Sequence, residues 1–224
     1  MLGETFIVVW EGVDGSGKTT LLNAVYHMLS ERRFRVAKYK TPSSSPTGLF
    51  AQQHGNKPET DPLTRMLLFL ANTADDSATI KQIIDQTKPD FLLIDRYNLC
   101  SVVYGFSLNA KKFKTEIQPE EFKKFFETIE KLGSKVFVTP DVVVVVTVDP
   151  ETRRQRTTLK QTSSDRIFET DEELQNIVEH YYNLYADWRP NQVIKVLNRD
   201  NMVDRLASEL AEKFTDLRRK SLHG

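Results

Sequence analysis

A glycine-rich segment between an apolar run and a helical pattern constrains the fold of this chain most strongly. The apolar run "FIVVW" is followed directly by "EGVDGSGKTT", residues 11–20, and then by an amphipathic stretch. Within this segment Gly12, Gly17, Lys18 and Thr19 match the spacing GxxxxGK[ST]. Glycines let backbone N–H groups close around phosphate oxygens, and a helix N-terminus adds positive potential. The pattern predicts a phosphate-binding loop between the first strand and the first helix.

This loop indicates that the chain binds a nucleoside triphosphate together with Mg²⁺. The Lys18 ammonium is placed to reach the outer phosphates, and the Thr19 hydroxyl is placed to hold the metal. The same kind of loop serves switches, motors and kinases, so it leaves the reaction open. The residues predicted to surround the donor phosphates are Gly12, Gly15, Ser16, Gly17, Lys18, Thr19 and Thr20.

Apolar runs alternate with amphipathic stretches along the chain, which is typical of strands joined through helices into a parallel sheet. Five strands are predicted, at "TFIVVW", "FRVAKYK", "FLLI", "DVVVVVTV" and "VIKVL". They indicate an α/β fold of the P-loop three-layer type, with a central five-stranded parallel sheet flanked by helices. Neither an internal repeat nor a linker divides the sequence, so residues 1–224 are expected to form one domain.

Two segments lack a clear periodic pattern. The first, "TPSSSPTGLFAQQHG", is rich in Ser, Pro and Gly and is predicted to be mostly loop, with room for one short helix. The second, "PETRRQRTTLKQTSSDRIF", is basic and has little apolar content, so we expect it to be exposed and at least partly mobile.

The composition argues against several classes of protein. The 31 Lys and Arg residues are balanced by 31 Asp and Glu, whereas proteins that coat nucleic acid usually present a net basic surface. The single cysteine, Cys100, excludes an internal disulfide and fits a reducing compartment. No apolar stretch is long enough to cross a bilayer, and the first residues lack a basic leader. We therefore expect a cytoplasmic protein without nucleic-acid or membrane partners.

A carboxylate and an arginine end the third predicted strand, in "FLLIDRYNLCSVVYG". Ligands collect at this edge of open α/β sheets. Asp95 is suited to the magnesium shell or its waters, and Arg96 presents a rigid fork suited to a second phosphate group. The alternative is a structural ion pair between these two neighbours at the strand end.

These segments together resemble the thymidylate kinases, and in particular divergent archaeal-type members of that family. The resemblance runs from "FIVVWEGVDGSGKTT" through "LLFLAN" and "DRYNLCSVVYG" to "PDVVVVVTVDPETRRQR", "DRIFE" and "YYNLYADW". It implies transfer of a phosphoryl group from ATP to deoxythymidine monophosphate (dTMP), and it implies a homodimer. It also places Asp14 near the acceptor sugar and the transferred phosphate. Some members carry an arginine where this chain has Gly15, and members without it take their catalytic cations from the lid.

The resemblance assigns residues of about 153–168 to a lid that closes over the phosphates. It implies that Arg156 stacks on the adenine of ATP, and that Asp165 and Arg166 face the acceptor and transferred phosphates. The catalytic residues implied are Lys18, Asp14, Arg96 and Arg166, and Lys160 would add a further cation. A solvated basic helix end is the alternative for Arg156 and Lys160.

For the acceptor, the resemblance implies that Phe69 stacks on the base and Tyr104 crowds the 2′ position of the sugar. Tyr97 matches the aromatic residue that follows the Asp–Arg pair. Two positions depart from the family: Thr73 replaces a base-reading arginine, and "KTPSSSPTG" lacks an arginine that grips the acceptor phosphate. Two alternatives therefore stay open, namely a kinase with another acceptor, such as deoxyuridine monophosphate (dUMP) or another small phosphorylated metabolite, and a non-catalytic nucleotide-binding regulator.

Overall fold

Five parallel strands form the centre of the computed structural model, which describes residues 5–159 and 166–223. The strands are β1 (Phe6–Gly12), β2 (Val36–Lys40), β3 (Phe91–Asp95), β4 (Val142–Thr147) and β5 (Val193–Leu197). They are hydrogen-bonded in the order β2-β3-β1-β4-β5. The predicted fold class, with its five parallel strands, is confirmed.

Helices cover both faces of this sheet. On one face, α1 (Lys18–Glu31) packs beside α9 (Val203–His223). The other helices of the described residues are α2 (Pro46–Gly55), α3 (Pro62–Thr87), α4 (Asn98–Phe113), α5 (Pro119–Leu132), α6 (Pro150–Leu159), α7 (Arg166–Glu169) and α8 (Glu172–Trp188). Within the described ranges, no helix combines the length and the apolar character that crossing a membrane requires.

Alternate residues of β1 enter two separate cores, because successive side chains of a strand point to opposite faces of the sheet. Val8 and Trp10 pack in the core formed with α1 and α9. Ile7 and Val9 pack in the core formed with α3, α4, α5 and α8. All seven residues of β1 are buried, and the first five, FIVVW, form a continuous apolar run, as in other buried parallel strands.

The serine-rich segment after β2 is more regular than its composition suggests. Ser45 caps α2, since its Oγ accepts the N–H of Gly48 at 3.1 Å. Pro46 occupies the first turn, where its missing N–H costs nothing. The pair therefore starts a ten-residue helix, which is the short helix for which the sequence left room.

The basic segment after β4 also begins as a helix, α6. Asp149 precedes it, and one of its carboxylate oxygens accepts the N–H of Thr152 at 2.9 Å, a typical helix start. Lys160 and Asp165 lie outside the described residues. Arg166 begins α7, and its side chain also lies outside the description.

Candidate active site

The loop between β1 and α1 depends on glycine at two close approaches. Gly12 has a φ of 132°, and a Cβ there would lie 2.1 Å from the carbonyl oxygen of Val146 on β4. Gly17 has a φ of 79°, and a Cβ there would lie 2.5 Å from Nδ2 of Asn198. Both the backbone conformation and the packing therefore require residues without a side chain.

Helix α1 begins in a way that suits an anion. In the described structure no side chain caps α1, and its first turn contains no acidic residue. Asn198, just after β5, supports the loop, because its Nδ2 donates to the carbonyl oxygen of Ser16 at 2.7 Å. A helix N-terminus framed by glycines leaves backbone N–H groups for a bound phosphate.

Lys18 is buried and folded back on its own loop. Its Nζ donates to the carbonyl oxygens of Gly12 at 3.0 Å and Val13 at 2.8 Å. Burial, followed by the positive charge of Arg96, lowers the pKa of Lys18 to about 8, although Asp14 and Asp95 act in the opposite direction. A phosphate chain in the loop would stabilise the charged form, so an anion is a fitting ligand here.

Thr19 and Asp95 meet at the carboxyl edge of β3. The Thr19 hydroxyl donates to Oδ2 of Asp95 at 2.6 Å. Mg²⁺ usually binds one or two protein oxygens and completes its shell with phosphate oxygens and water. These two side chains fit such an ion. Among the described residues, no group of three or more His, Cys, Asp and Glu forms a metal site of protein ligands alone.

The Asp14 carboxylate lies in the anion-binding loop because neighbouring groups offset its charge. One of its oxygens pairs with Arg96, and the other accepts the hydroxyl of Tyr104. Gln175 on α8 donates its Nε2 to the carboxylate at 3.3 Å and accepts the Asp14 N–H at 3.0 Å. An ionised carboxylate with a charge-assisted hydrogen bond of this kind is compatible with nearby phosphates.

Arg96 is held by its backbone as well as its side chain. Its φ is 67°, a left-handed conformation that costs on the order of 1–2 kcal/mol outside glycine. The N–H of Arg96 donates to the carbonyl oxygen of Trp10 at 2.9 Å, and its own carbonyl accepts the hydroxyl of Thr41 at 3.0 Å. Burial acts to lower the pKa of Arg96, but Cys100 and Asp14 raise it well above its usual value. The guanidinium is therefore a permanent cation at this position.

Glu11, near the end of β1, binds the backbone at the start of α4. Its Oε1 accepts the backbone N–H groups of Tyr97 at 2.9 Å and Cys100 at 3.2 Å. Its Oε2 accepts the hydroxyl of Tyr182 on α8 at 3.0 Å. Burial is the main reason that the pKa of Glu11 is raised to about 7, and Arg96 acts against it. This carboxylate supplies the cap that the Tyr97 side chain does not provide.

Phe69, Thr73 and Tyr104, the residues predicted to contact the acceptor, lie close together. All three line one cavity together with Asp14 and Arg96. The hydroxyl of Thr73 donates to the backbone carbonyl of Phe69 at 2.9 Å. Its proton is therefore used within α3, and Thr73 does not replace an arginine as a charged donor.

Tyr97 serves the core as well as the cavity wall. Its hydroxyl lies 2.6 Å from the Ser77 Oγ and accepts the N–H of Val138 at 3.0 Å. The side chain is only 1% exposed. The ring hydroxyl therefore links α3 to the segment before β4. The predicted contact between Tyr97 and a substrate would have to involve other atoms of this residue.

The loop after β2 is anchored on a buried carboxylate. Asp76 of α3 accepts the Ser43 N–H at 3.2 Å, the Ser43 hydroxyl at 2.5 Å and the Tyr39 hydroxyl at 3.0 Å. Lys40 ends β2 opposite Asp95 in the sheet register and lines the cavity with an exposed side chain. A cation therefore stands at the beginning of this loop, although the loop itself offers serines.

Arg156 of α6 lies against the phosphate loop. Its Nη1 donates to the carbonyl oxygens of Ser16 at 3.3 Å and Asn198 at 3.2 Å, and its Nη2 pairs with Asp200 at 2.7 Å. The guanidinium thus spans the loop and the end of β5, beside the expected triphosphate. This position is compatible with the predicted contact with the adenine.

One cavity of about 670 Å³ brings most of the predicted site together. Gly12 and Ser16 support the loop from behind and do not line the cavity. The predicted residues on its wall are Asp14, Gly15, Gly17, Lys18, Thr19, Thr20, Phe69, Thr73, Asp95, Arg96, Tyr97, Tyr104 and Arg156.

Sequence reasoning missed four residues that act at or beside this cavity. Glu11, Gln175 and Asn198 contact site residues that are distant from them in sequence, so a local pattern carries no signal for them. Arg65, which also lines the cavity, stands four residues before Phe69, a spacing that puts both on one face of α3. That spacing was the available signal.

Comparison with known proteins identifies the family. Residues 10–204 match the family model described as thymidylate kinase. The chain belongs to the thymidylate kinase family. The resemblance drawn from the sequence motifs is thereby confirmed.

Relatives in this family match over most of their length. A probable thymidylate kinase of Methanosphaera stadtmanae is 28% identical over 180 residues, covering 79% of this chain and 82% of that protein. A probable thymidylate kinase of Sulfolobus acidocaldarius is 26% identical over 209 residues, covering 91% of this chain and 93% of that protein.

The fold of the family is also found among solved structures. The thymidylate kinase of Candida albicans superimposes with a TM-score of 0.71 at 20% identity, covering 96% of this chain and 94% of that one. The thymidylate kinase of Ehrlichia chaffeensis gives a TM-score of 0.65 at 17% identity, covering 95% of this chain and 99% of that one. At these identities the likeness concerns the fold.

Proposed function

We propose that this protein transfers the γ-phosphoryl group of ATP to dTMP, giving dTDP and ADP. The observation that carries the proposal is the family match over residues 10–204. The cavity supports it, because the phosphate loop and the Asp14–Arg96 pair face one space. A donor phosphate and an acceptor phosphate both need cations, and Lys18 and Arg96 provide one for each.

On the donor side, the loop N–H groups and Lys18 would bind the phosphates of ATP. Thr19 and Asp95 would hold Mg²⁺, which supplies charge neutralisation on the phosphates when bound. Arg156 bridges the loop and the end of β5, and it would contact the nucleoside of ATP from there. Each of these contacts would orient the donor without forming a covalent bond to it.

On the acceptor side, Arg96 is the residue best placed to bind the monophosphate. Its guanidinium is held by Asp14, so its orientation is fixed before the acceptor enters. Asp14 and Tyr104 lie where a deoxyribose would pack. Phe69 offers a ring face for the base.

Phosphoryl transfer requires little covalent chemistry from the protein, so positioning and charge carry catalysis. Lys18 and Arg96 would bind the transferred group from two sides. We also propose that the segment of about 153–168 closes as a lid within the single kinase domain. Arg166 and Lys160 would then add positive charge and exclude water, with Asp165 facing the acceptor.

The family resemblance also implies a homodimer, and α3 offers a surface for it. Leu63 and Leu67 are 53% and 50% exposed, and their spacing puts them on one face of the helix. Leu49 and Phe50 of the neighbouring α2 are similarly exposed. We propose that a second copy of the chain covers these side chains.

The test is ADP formation from ATP and Mg²⁺ with a panel of nucleoside monophosphates. We expect dTMP to stimulate ADP formation most strongly. Lys18→Ala should lower that rate by about 100-fold or more, because it removes a cation that stabilises the transferred group. Lys38→Ala, on the exposed side of β2, is the matched control and should retain the rate.

Two outcomes would contradict the proposal. Stimulation by another monophosphate in preference to dTMP would assign a different acceptor. ATP binding without ADP formation on any monophosphate would show that the chain binds nucleotide without acting as a nucleotide kinase.

A further inference from the structure

A second cation, Arg65, lies on the acceptor side of the cavity. It is only 8% exposed, and its Nη2 donates to Oδ1 of Asn56 at 3.2 Å. The central guanidinium carbon lies 4.7 Å from the ring centre of Phe69 and 4.9 Å from that of Phe168. The Tyr104 ring centre is 5.6 Å away. One buried guanidinium is therefore surrounded by three aromatic rings.

This arrangement suits a flat, conjugated ligand. Guanidinium planes and aromatic faces both stack on nucleobases. A guanidinium also donates hydrogen bonds and accepts none, and its several donors allow it to bind more than one partner at once. The complementary ligand is an aromatic ring with a carbonyl oxygen at its edge.

Two other polar residues of the cavity, Thr73 and Arg96, already use donors within the protein. Thr73, two turns further along α3, uses its hydroxyl proton on the carbonyl of Phe69. Arg96 is paired with Asp14, which also accepts the hydroxyl of Tyr104. Arg65 places a charged donor on the face of α3 that carries Phe69.

We propose that Arg65 selects the acceptor base by donating a hydrogen bond to the C4 carbonyl oxygen of a pyrimidine stacked on Phe69. The inference rests on the proposed function and deepens it. Thymine and uracil carry an oxygen at C4, whereas cytosine carries an amino group. An amino group would meet the guanidinium donor to donor, and such a mismatch rejects a ligand more strongly than a merely lost contact does. The acceptor class is thus a 4-oxo-pyrimidine monophosphate.

The experiment compares equilibrium binding of dTMP and dCMP, measured by calorimetry on the full chain. Arg65→Met keeps much of the side-chain length and removes the charge. Arg65→Lys keeps the charge and loses the planar fork. Arg205→Met removes an exposed arginine of α9 and is the matched control. Thermal unfolding and ATP affinity of each variant show whether it is folded and whether its donor site is intact.

We expect the wild-type protein to prefer dTMP to dCMP, and Arg65→Met to reduce this preference about ten- to hundredfold. Most of the change should come from weaker dTMP binding, with ATP affinity unchanged. Arg65→Lys should lose part of the preference, and it carries the test if the methionine variant does not fold. Arg205→Met should retain the preference.

A dTMP-to-dCMP preference that survives in a folded Arg65 variant would overturn the inference and leave the kinase activity untouched. A wild-type protein with no preference between the two would also overturn it. If the wild-type protein prefers dTMP in binding but forms no ADP with it, the proposed function fails, and the variants still decide the role of Arg65.

Discussion

Glu11 on β1 accepts the backbone N–H of Tyr97 at 2.9 Å, although the two residues lie 86 positions apart in the chain. This bond fixes the peptide that follows Arg96, whose own backbone is left-handed. A buried carboxylate under the turn therefore helps set the direction in which the Arg96 guanidinium leaves the strand.

The first prediction concerns Glu11 and stability. Its pKa is raised from 4.5 to about 7 in the folded chain, so the folded state retains a proton that the unfolded chain loses. The stabilisation is therefore full below pH 4.5 and is lost as the pH rises to about 7. Glu11→Gln removes this titration. Relative to wild type, the variant should gain on the order of 2–3 kcal/mol between pH 5 and pH 8.

Urea unfolding of both proteins at several pH values measures this difference. The exposed Glu212→Gln on α9 is the control and should follow wild type at every pH. Parallel pH profiles for wild type and Glu11→Gln would contradict the assignment.

The second prediction concerns Lys18 and ATP. The pKa of Lys18 is about 8 in the ligand-free site, and ATP binds best to the protonated amine. Affinity for ATP should therefore fall by about tenfold or more between pH 7.5 and pH 9.5, as the free protein loses this proton. Calorimetric titration measures the affinity. Lys18→Met should bind ATP more weakly, with a flat profile over this range, and a wild-type profile that is also flat would count against the prediction.

The third prediction concerns Arg96. Arg96→Lys keeps the charge but loses the planar fork that binds Asp14 and an acceptor phosphate together. We expect kcat/KM for the acceptor to fall about ten- to hundredfold, with little change in KM for ATP. Arg154→Lys, which alters an exposed ion pair with Glu172, should behave as wild type. Equal effects on both substrates would mean that Arg96 does not act on the acceptor side.

The fourth prediction concerns Asp95 and Mg²⁺. Asp95→Asn keeps the shape of the side chain and removes the negative charge beside Thr19. The Mg²⁺ concentration needed for half-maximal activity should rise about tenfold or more, since a metal site loses a charged oxygen or its support. Asp85→Asn, at an exposed position of α3, should leave the Mg²⁺ titration unchanged. A normal titration for Asp95→Asn would remove this residue from the metal site.

The fifth prediction concerns assembly. The double variant Leu63→Lys and Leu67→Lys puts two charges on the exposed face of α3, and burying them in an interface would be costly. Sedimentation should show a dimer for wild type and a monomer for the variant. Leu132→Lys changes a leucine that is 80% exposed on α5 and should remain dimeric. A wild-type monomer would remove the dimer proposal.

Local patterns were enough to predict the sheet and the phosphate loop. The motif from Gly12 to Thr19 lies in one short segment of sequence. The apolar runs of β1 and β4 directly indicate that these strands are buried. The placement of Asp14 and Tyr104 depended on the family resemblance, because their contact joins residues 90 positions apart.

Other features were beyond the reach of local patterns. Glu11 reads as one polar residue at the end of a strand, and nothing near it indicates the α4 backbone that it binds. Arg65 reads as a charged residue at the start of a long helix. It is buried in part by Phe168 and Tyr104, which come from other elements of the fold.

The position of Asn198 also has a consequence for synthesis of the chain. Its side chain supports the phosphate loop at Ser16, and its N–H bonds the carbonyl of Thr147 at 2.9 Å. The loop therefore lacks this support until Asn198, 182 residues further along the chain, has left the ribosome. During synthesis, the loop glycines and Lys18 are made well before the residue that supports the loop. Firm nucleotide binding is thus expected as a late event in biogenesis, after the last strand has joined the sheet.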